Sequence, residues 1–228
     1  STRRATVEDF GGDGGGMIQG GKNLKNIGVI VKNNEIKKDN AAVNQANIDN
    51  QGYGADLFRT AKENTDAAAT DFTPKVLDEY DKNMQKALEA APNDRVRQAM
   101  KADFTQTRNR LVEKSTIFES VTRSKNEVNV FVSNGDKASN VVFDTPTEDQ
   151  FNDTKNARQR EIDNTSLQPH IKNELMRDEV KTLRFKQYGG LLEGATNAEQ
   201  VDNILANRPV GEMSKEGFTQ LGNAGDAK

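Results

Sequence analysis

From Met100 the chain can be stepped alternately by four and three residues through Phe104, Thr107, Leu111, Lys114, Phe118, Val121, Lys125 and Val128 to Val132 without a slip. Side chains that recur every 3.5 residues share one seam of an α-helix. The run therefore predicts a helix about 50 Å long at 1.5 Å per residue. Two lysines and a threonine weaken the seam, and Ile117 beside Phe118 widens it, as packing against more than one neighbour requires. Met100, Phe104, Leu111, Phe118, Val121, Val128 and Val132 form the candidate packing and oligomer seam. The Ser133-Asn134-Gly135-Asp136 stretch is expected to end the helix.

A seam needs something to cover it, and the chain is poorly supplied with covering groups. Leu, Ile, Val and Phe together number 47 of 228 residues, with 10 Phe, 3 Tyr and no Trp. This is about the level at which chains fail to bury enough area to fold alone. The expected outcome is an elongated all-α protein whose core is completed by oligomerisation.

The rest of the chain reads as helices separated by glycine and proline. Residues 1–16 read as a flexible glycine-rich arm, and 17–51 as an N-terminal helix ending before Gly52 and Gly54. Residues 54–134 read as a helical hairpin. Its first helix begins with Thr73 as cap, Pro74 at the first position and Phe72 stapled onto Leu77. It carries Tyr80, Met84, Ala87, Leu88 and Ala91 in a stripe, and stops at Pro92. The short "APN" link leaves only an antiparallel return into the long helix. Val141 to Phe143 read as an extended segment or plug. Residues 146–207 read as a group of shorter helices, opened by Thr145-Pro146-Thr147-Glu148, by Pro169, and by Thr196-Asn197-Ala198-Glu199, with Gly189-Gly190 stopping the middle one. Residues 208–228 read as a flexible tail.

Chemistry is scarce. "GMIQGGKN" (residues 16–23) comes within one residue of a phosphate-binding loop, but Asn23 replaces the hydroxyl residue and "DFGGDGG" upstream cannot be the buried strand such a loop needs. Gly21 and Gly28 instead share one helical face and are candidate close-packing glycines. With no cysteine and the single histidine, His170, in a helix first turn where the dipole disfavours its cation, no metal site or nucleophilic triad can be assembled. Basic and acidic residues number 32 and 35 and are interspersed, which disfavours a basic nucleic-acid groove. "STRRATVEDF" leads into glycines, so no signal peptide is expected. Glu119-Ser120 resembles the Glu-Ser pair of lytic transglycosylases, whose Glu is a general acid and base toward glycan. The later elements of that family do not follow, and Glu119 is spaced to pair with Arg123. No cofactor is expected, and the chain is read as no enzyme.

The order of "GGKNLKNIG", "LDEYDKNMQKALEAAPNDRVRQAM", "FESVTRSKNEVNVF", "LQPHIKNELMRDEV" and "NAEQVDNILAN" resembles the N-terminal helical region of internal virion, or ejection, proteins of tailed bacteriophages, over residues 16–207. The resemblance implies a non-enzymatic structural protein that assembles as a homo-oligomer inside the capsid or at the portal or tail, and helps to build a genome-ejection conduit. Its implied partners are portal, tail or other ejection proteins, with transient contact to phage DNA or the host envelope after ejection, and no small-molecule substrate. Two alternatives remain at this level: a transglycosylase-related protein using Glu119, and a transient assembly scaffold or adaptor. The seam carries its own test. Replacing both Lys114 and Lys125 by Leu is expected to tighten association if neighbours meet there, which sedimentation at several concentrations measures.

Overall fold

The structure, a computed structural model, describes residues 14–209 and 211–226, with side-chain surroundings for 29–209 and 211–224. The described residues are all-helical: α1 (Gly14–Glu63), α2 (Phe72–Glu89), α3 (Asp94–Asp144), α4 (Glu148–Asp163), α5 (Pro169–Gly194), α6 (Ala198–Ala206) and α7 (Lys215–Asp226). They fall into two compact units. One holds α1, α2 and α3 as far as Thr116, and the other holds residues 65–70, α3 from Ile117 and α4 to α7.

Several expected boundaries move. α1 does not end before Gly52 and Gly54, because Gly54 is buried where α1 meets α3. A Cβ there would lie 3.3 Å from Thr107 Cγ2 and 3.5 Å from Leu111 Cδ1. The "GMIQGGKN" stretch lies within the continuous helix α1, so its backbone forms no phosphate-binding loop. Of the expected arm, residues 14–16 are helical and residues 1–13 lie outside the described residues. The cap of α2 is Asp71, in the left-handed region at φ 55°, and Thr73 lies inside the helix. Phe72 meets Phe58 edge-on, with ring centroids 5.7 Å apart.

In the first unit, Val96, Met100 and Phe104 of α3 are buried against Ala42, Val43 and Ala46 of α1 and Met84, Ala87 and Leu88 of α2. Tyr80 is fully buried, and its hydroxyl lies 2.8 Å from Asn50 Oδ1 and 3.0 Å from the Phe104 carbonyl. Arg108 donates twice to Asp81, at 2.7 and 2.8 Å, tying α3 to α2. Along this part of α3 the buried positions are Val96, Met100, Phe104, Thr107, Leu111 and Ser115. The seam thus holds as far as Leu111 and then moves to Ser115, leaving Lys114 exposed. A strict seven-residue repeat walks round a straight helix by about 20° per heptad, so a seam counted at 3.5 residues leaves the buried face as it lengthens.

The second unit is built around a buried arginine. Arg158 of α4 is 3% exposed. Its guanidinium lies 3.8 Å from the centroid of the Phe131 ring. It donates to Glu179 Oε1 of α5 at 2.8 Å, to Glu161, and to the Phe131 carbonyl of α3. Gly135 sits against this network, where a Cβ would come within 2.7 Å of Glu179 Oε2. The Asn-Gly that reads as a helix stop is therefore the place where α3 makes room for the ion pair, and α3 runs on to Asp144. Val142, expected in an extended segment, is helical and buried with Phe151 and Leu183.

The caps of the later helices differ by one residue or two from expectation. Thr147, not Thr145, accepts from Gln150 N at the start of α4. Asn197, not Thr196, accepts from Gln200 N, while Gln200 Oε1 accepts from Thr196 N at 2.8 Å. Pro169 does stand at the start of α5. Gly189-Gly190 does not stop that helix, since Gly190 is where α5 crosses the end of α3: a Cβ would fall 2.2 Å from the Phe143 carbonyl oxygen. The expected loose tail contains α7, whose Leu221 is buried with Met213, Leu192 and Val201.

Two glycines give opposite expectations. Gly190→Ala is expected to destabilise by about 1–3 kcal/mol, because the crowding atoms are backbone. At Gly52 an added methyl would meet nothing within 4 Å. Gly52→Ala is therefore expected to stabilise by about 0.5–1 kcal/mol through helix propensity. Thermal unfolding of the two variants measures both.

Candidate assembly surfaces

The carboxylates and the histidine that could do chemistry are engaged or isolated. Glu119 accepts from Arg123 at 2.6 Å, the i,i+4 pair anticipated from the spacing. Asp78 accepts from Lys82. His170 is exposed in the first turn of α5. Among the described residues no group of three or more His, Cys, Asp or Glu could hold a metal ion. Nor is any helix among them long and apolar enough to cross a membrane.

The most connected exposed cluster centres on Arg184 of α5. Its guanidinium stacks 3.5 Å from the centroid of the Phe151 ring. It donates to both oxygens of Glu148 at the start of α4, to Gln187 Oε1, and to Glu212 ahead of α7 at 2.6 Å. These hydrogen bonds, with a smaller charge effect from the same arginine, hold the Glu148 carboxyl below the ordinary carboxylate range against the opposing effect of burial. The arrangement joins three segments of the second unit.

What remains are surfaces. In the first unit, α1 and α2 form the walls and α3 the floor of an open groove of about 550 Å³. Its walls are small, with Ala42, Ala46, Ala87 and Ala90 among them, and Met100 and Phe104 lie beneath. Asp49 is its charged lining residue, and at the same end burial, with the nearby Glu79 carboxylate, pushes the Tyr53 hydroxyl above its ordinary range. Small side chains over an apolar floor leave room for a bulky one from elsewhere, as ligand and partner grooves do.

Against this, large aliphatic side chains stand in solvent. Val29, Ile30 and Val31 of α1 are 54, 58 and 50% exposed. Ile117, Val121 and Val132 of α3 are exposed in the second unit, as are Val130 and Val141. The seam expected from the sequence is thus divided. Met100, Phe104 and Leu111 are used inside the first unit. In the second unit, Phe118 and Val128 are half-buried, Val128 packing against the cluster that holds Phe131, and Val121 and Val132 face outward. Gly21 and Gly28 lie in α1, and their surroundings fall outside the described residues. The groove is not legible in the sequence, because an alanine in an apolar stripe reads as core, and only the placement of several across from one another makes a hollow.

Neither a protein-family model, nor a curated protein, nor a solved structure matches this chain.

The Glu148 clamp has a pH signature. Its folded-state acidity is strengthened, so its contribution to stability is complete above the unfolded carboxyl pKa and is lost as pH falls through the lower folded value. Glu148→Gln is expected to lower the melting temperature modestly at neutral pH, since the carboxylate is largely exposed and screened, and to converge with the unaltered chain as pH falls below about 4.3, so that the acid side of the profile flattens, read by circular dichroism.

Proposed function

We propose that this chain is a non-enzymatic structural protein that works by assembly. Oligomerisation covers the aliphatic surface that α1 leaves in solvent, and the assembled form contributes to a genome-ejection conduit of a tailed-phage particle. The observation that carries this reading is the outward-facing Val29-Ile30-Val31 of α1. Three consecutive β-branched aliphatics, each at least half exposed, stand on a helix of a chain that has few such residues to spare. Isolated exposed aliphatics are ordinary, whereas three in succession round a helix mark a surface made to be covered. The phage assignment, with its place inside the capsid or at the portal or tail, rests on the resemblance in the order of sequence segments.

Light scattering over a wide concentration range tests the assembly. The expected result is a mass that rises from monomer to a defined oligomer, and a monomer at every concentration would overturn self-assembly. Turbidity of purified cell wall tests the absence of hydrolysis. No clearing is expected from the protein or from Glu119→Gln, and clearing by the first alone would overturn the non-enzymatic reading. Mass spectrometry of mature particles separates a retained or ejected component, expected to be present, from a scaffold lost on maturation.

A further inference from the structure

We propose that the α1 segment around Val29-Ile30-Val31 of one copy docks into the alanine-walled groove of the first unit of a second copy. This rests on the assembly reading above and names its contact.

Three observations select this occupant. The first is the shape of the donor. Consecutive helical residues are set about 100° apart, so Val29, Ile30 and Val31 together sweep about 200° of the helix circumference. A flat partner face covers only one of them well, and a concave groove with two walls and a floor can cover all three. The second is the shape of the acceptor. Ala42, Ala46, Ala87 and Ala90 leave a hollow of about 550 Å³ over Met100 and Phe104, where branched side chains can enter without displacing larger ones. The third is charge. From Gly14 to Lys38, α1 carries five lysines and one glutamate. The groove's charged lining residue is Asp49, with Glu79 at the same end. From Asp39 to Glu63, α1 carries four acidic residues against two basic ones, and α2 carries four against three. A basic segment therefore meets a groove whose charged lining residue is acidic, which favours encounter and sets orientation.

The same geometry excludes the chain's own segment. Ile30 and Ala42 lie on one uninterrupted helix, twelve residues and about 18 Å apart. The segment cannot turn back onto the groove without breaking α1, so the donor comes from another molecule. Donor and acceptor are different surfaces of one chain, and the contact closes reciprocally in a pair or passes from copy to copy round a ring or along a filament.

The chain has no cysteine, which makes the test direct. Tagged full-length Ile30→Cys is mixed with untagged Ala90→Cys and treated with a short bismaleimide. A mixed tagged–untagged product is expected to dominate, and products only between two Ile30→Cys chains would overturn the inference while leaving assembly intact. Affinity gives a second readout. Ile30→Asp, at an exposed position where helicity by circular dichroism is expected to persist, should weaken self-association at least about tenfold, as loss of a central anchor does. Val132→Asp on α3 should change it by less than about twofold. The reverse ranking would overturn the docking and leave assembly standing, whereas a wild-type chain that stays monomeric would overturn both.

Discussion

Both units answer to a shortage of large apolar side chains, and the second shows how the shortage is met. Three arginines lie over phenyl rings: Arg158 on Phe131, Arg184 on Phe151 and Arg208 on Phe218. A guanidinium is flat, weakly hydrated and carried on an apolar stem, so it covers a ring as an aliphatic side chain would while its edge donates to carbonyls and carboxylates. Arg158 does this where it is almost fully buried, and the cost of desolvating it is offset only because Glu179, Glu161 and the Phe131 carbonyl all accept from it. The helices α3, α4 and α5 are consequently held by a polar junction with phenyl rings around it.

Glycine is the other means. Where side chains are few and small, helices gain contact by bringing backbones together, and Gly54, Gly135 and Gly190 each stand at such a place. At Gly190 the neighbour is a carbonyl oxygen of another helix, and at Gly135 it is a pinned carboxylate. In each case the residue that looks like an interruption of a helix is what allows the helix to continue past a neighbour.

The surfaces left over follow from the same scarcity. With apolar area committed to Tyr80, Phe104, Phe131, Phe151 and Leu183 inside the units, the aliphatics at Val29–Val31 of α1 and on the outward side of α3 stand in solvent, and a shallow alanine groove stays open. A thin interior with aliphatic exteriors follows when one limited supply of apolar surface has to serve a whole chain.

The amino-acid sequence by itself determined that the chain is helical, that a long helix passes through Met100, Phe104 and Leu111, that Pro169 opens a helix, and that Glu119 pairs with Arg123. These are local matters of periodicity, proline geometry and i,i+4 spacing, which act over a turn or two. What only the tertiary structure decided is where helices end and which face is covered. Asn134-Gly135 and Gly189-Gly190 read locally as stops, yet a neighbouring carboxylate and carbonyl make glycine the residue that fits there. Val132 reads as seam and Phe131 falls outside it, yet Arg158 packs on Phe131. The groove depends on alanines from two helices distant in sequence that face each other across a third, and no spacing rule along one helix encodes that meeting.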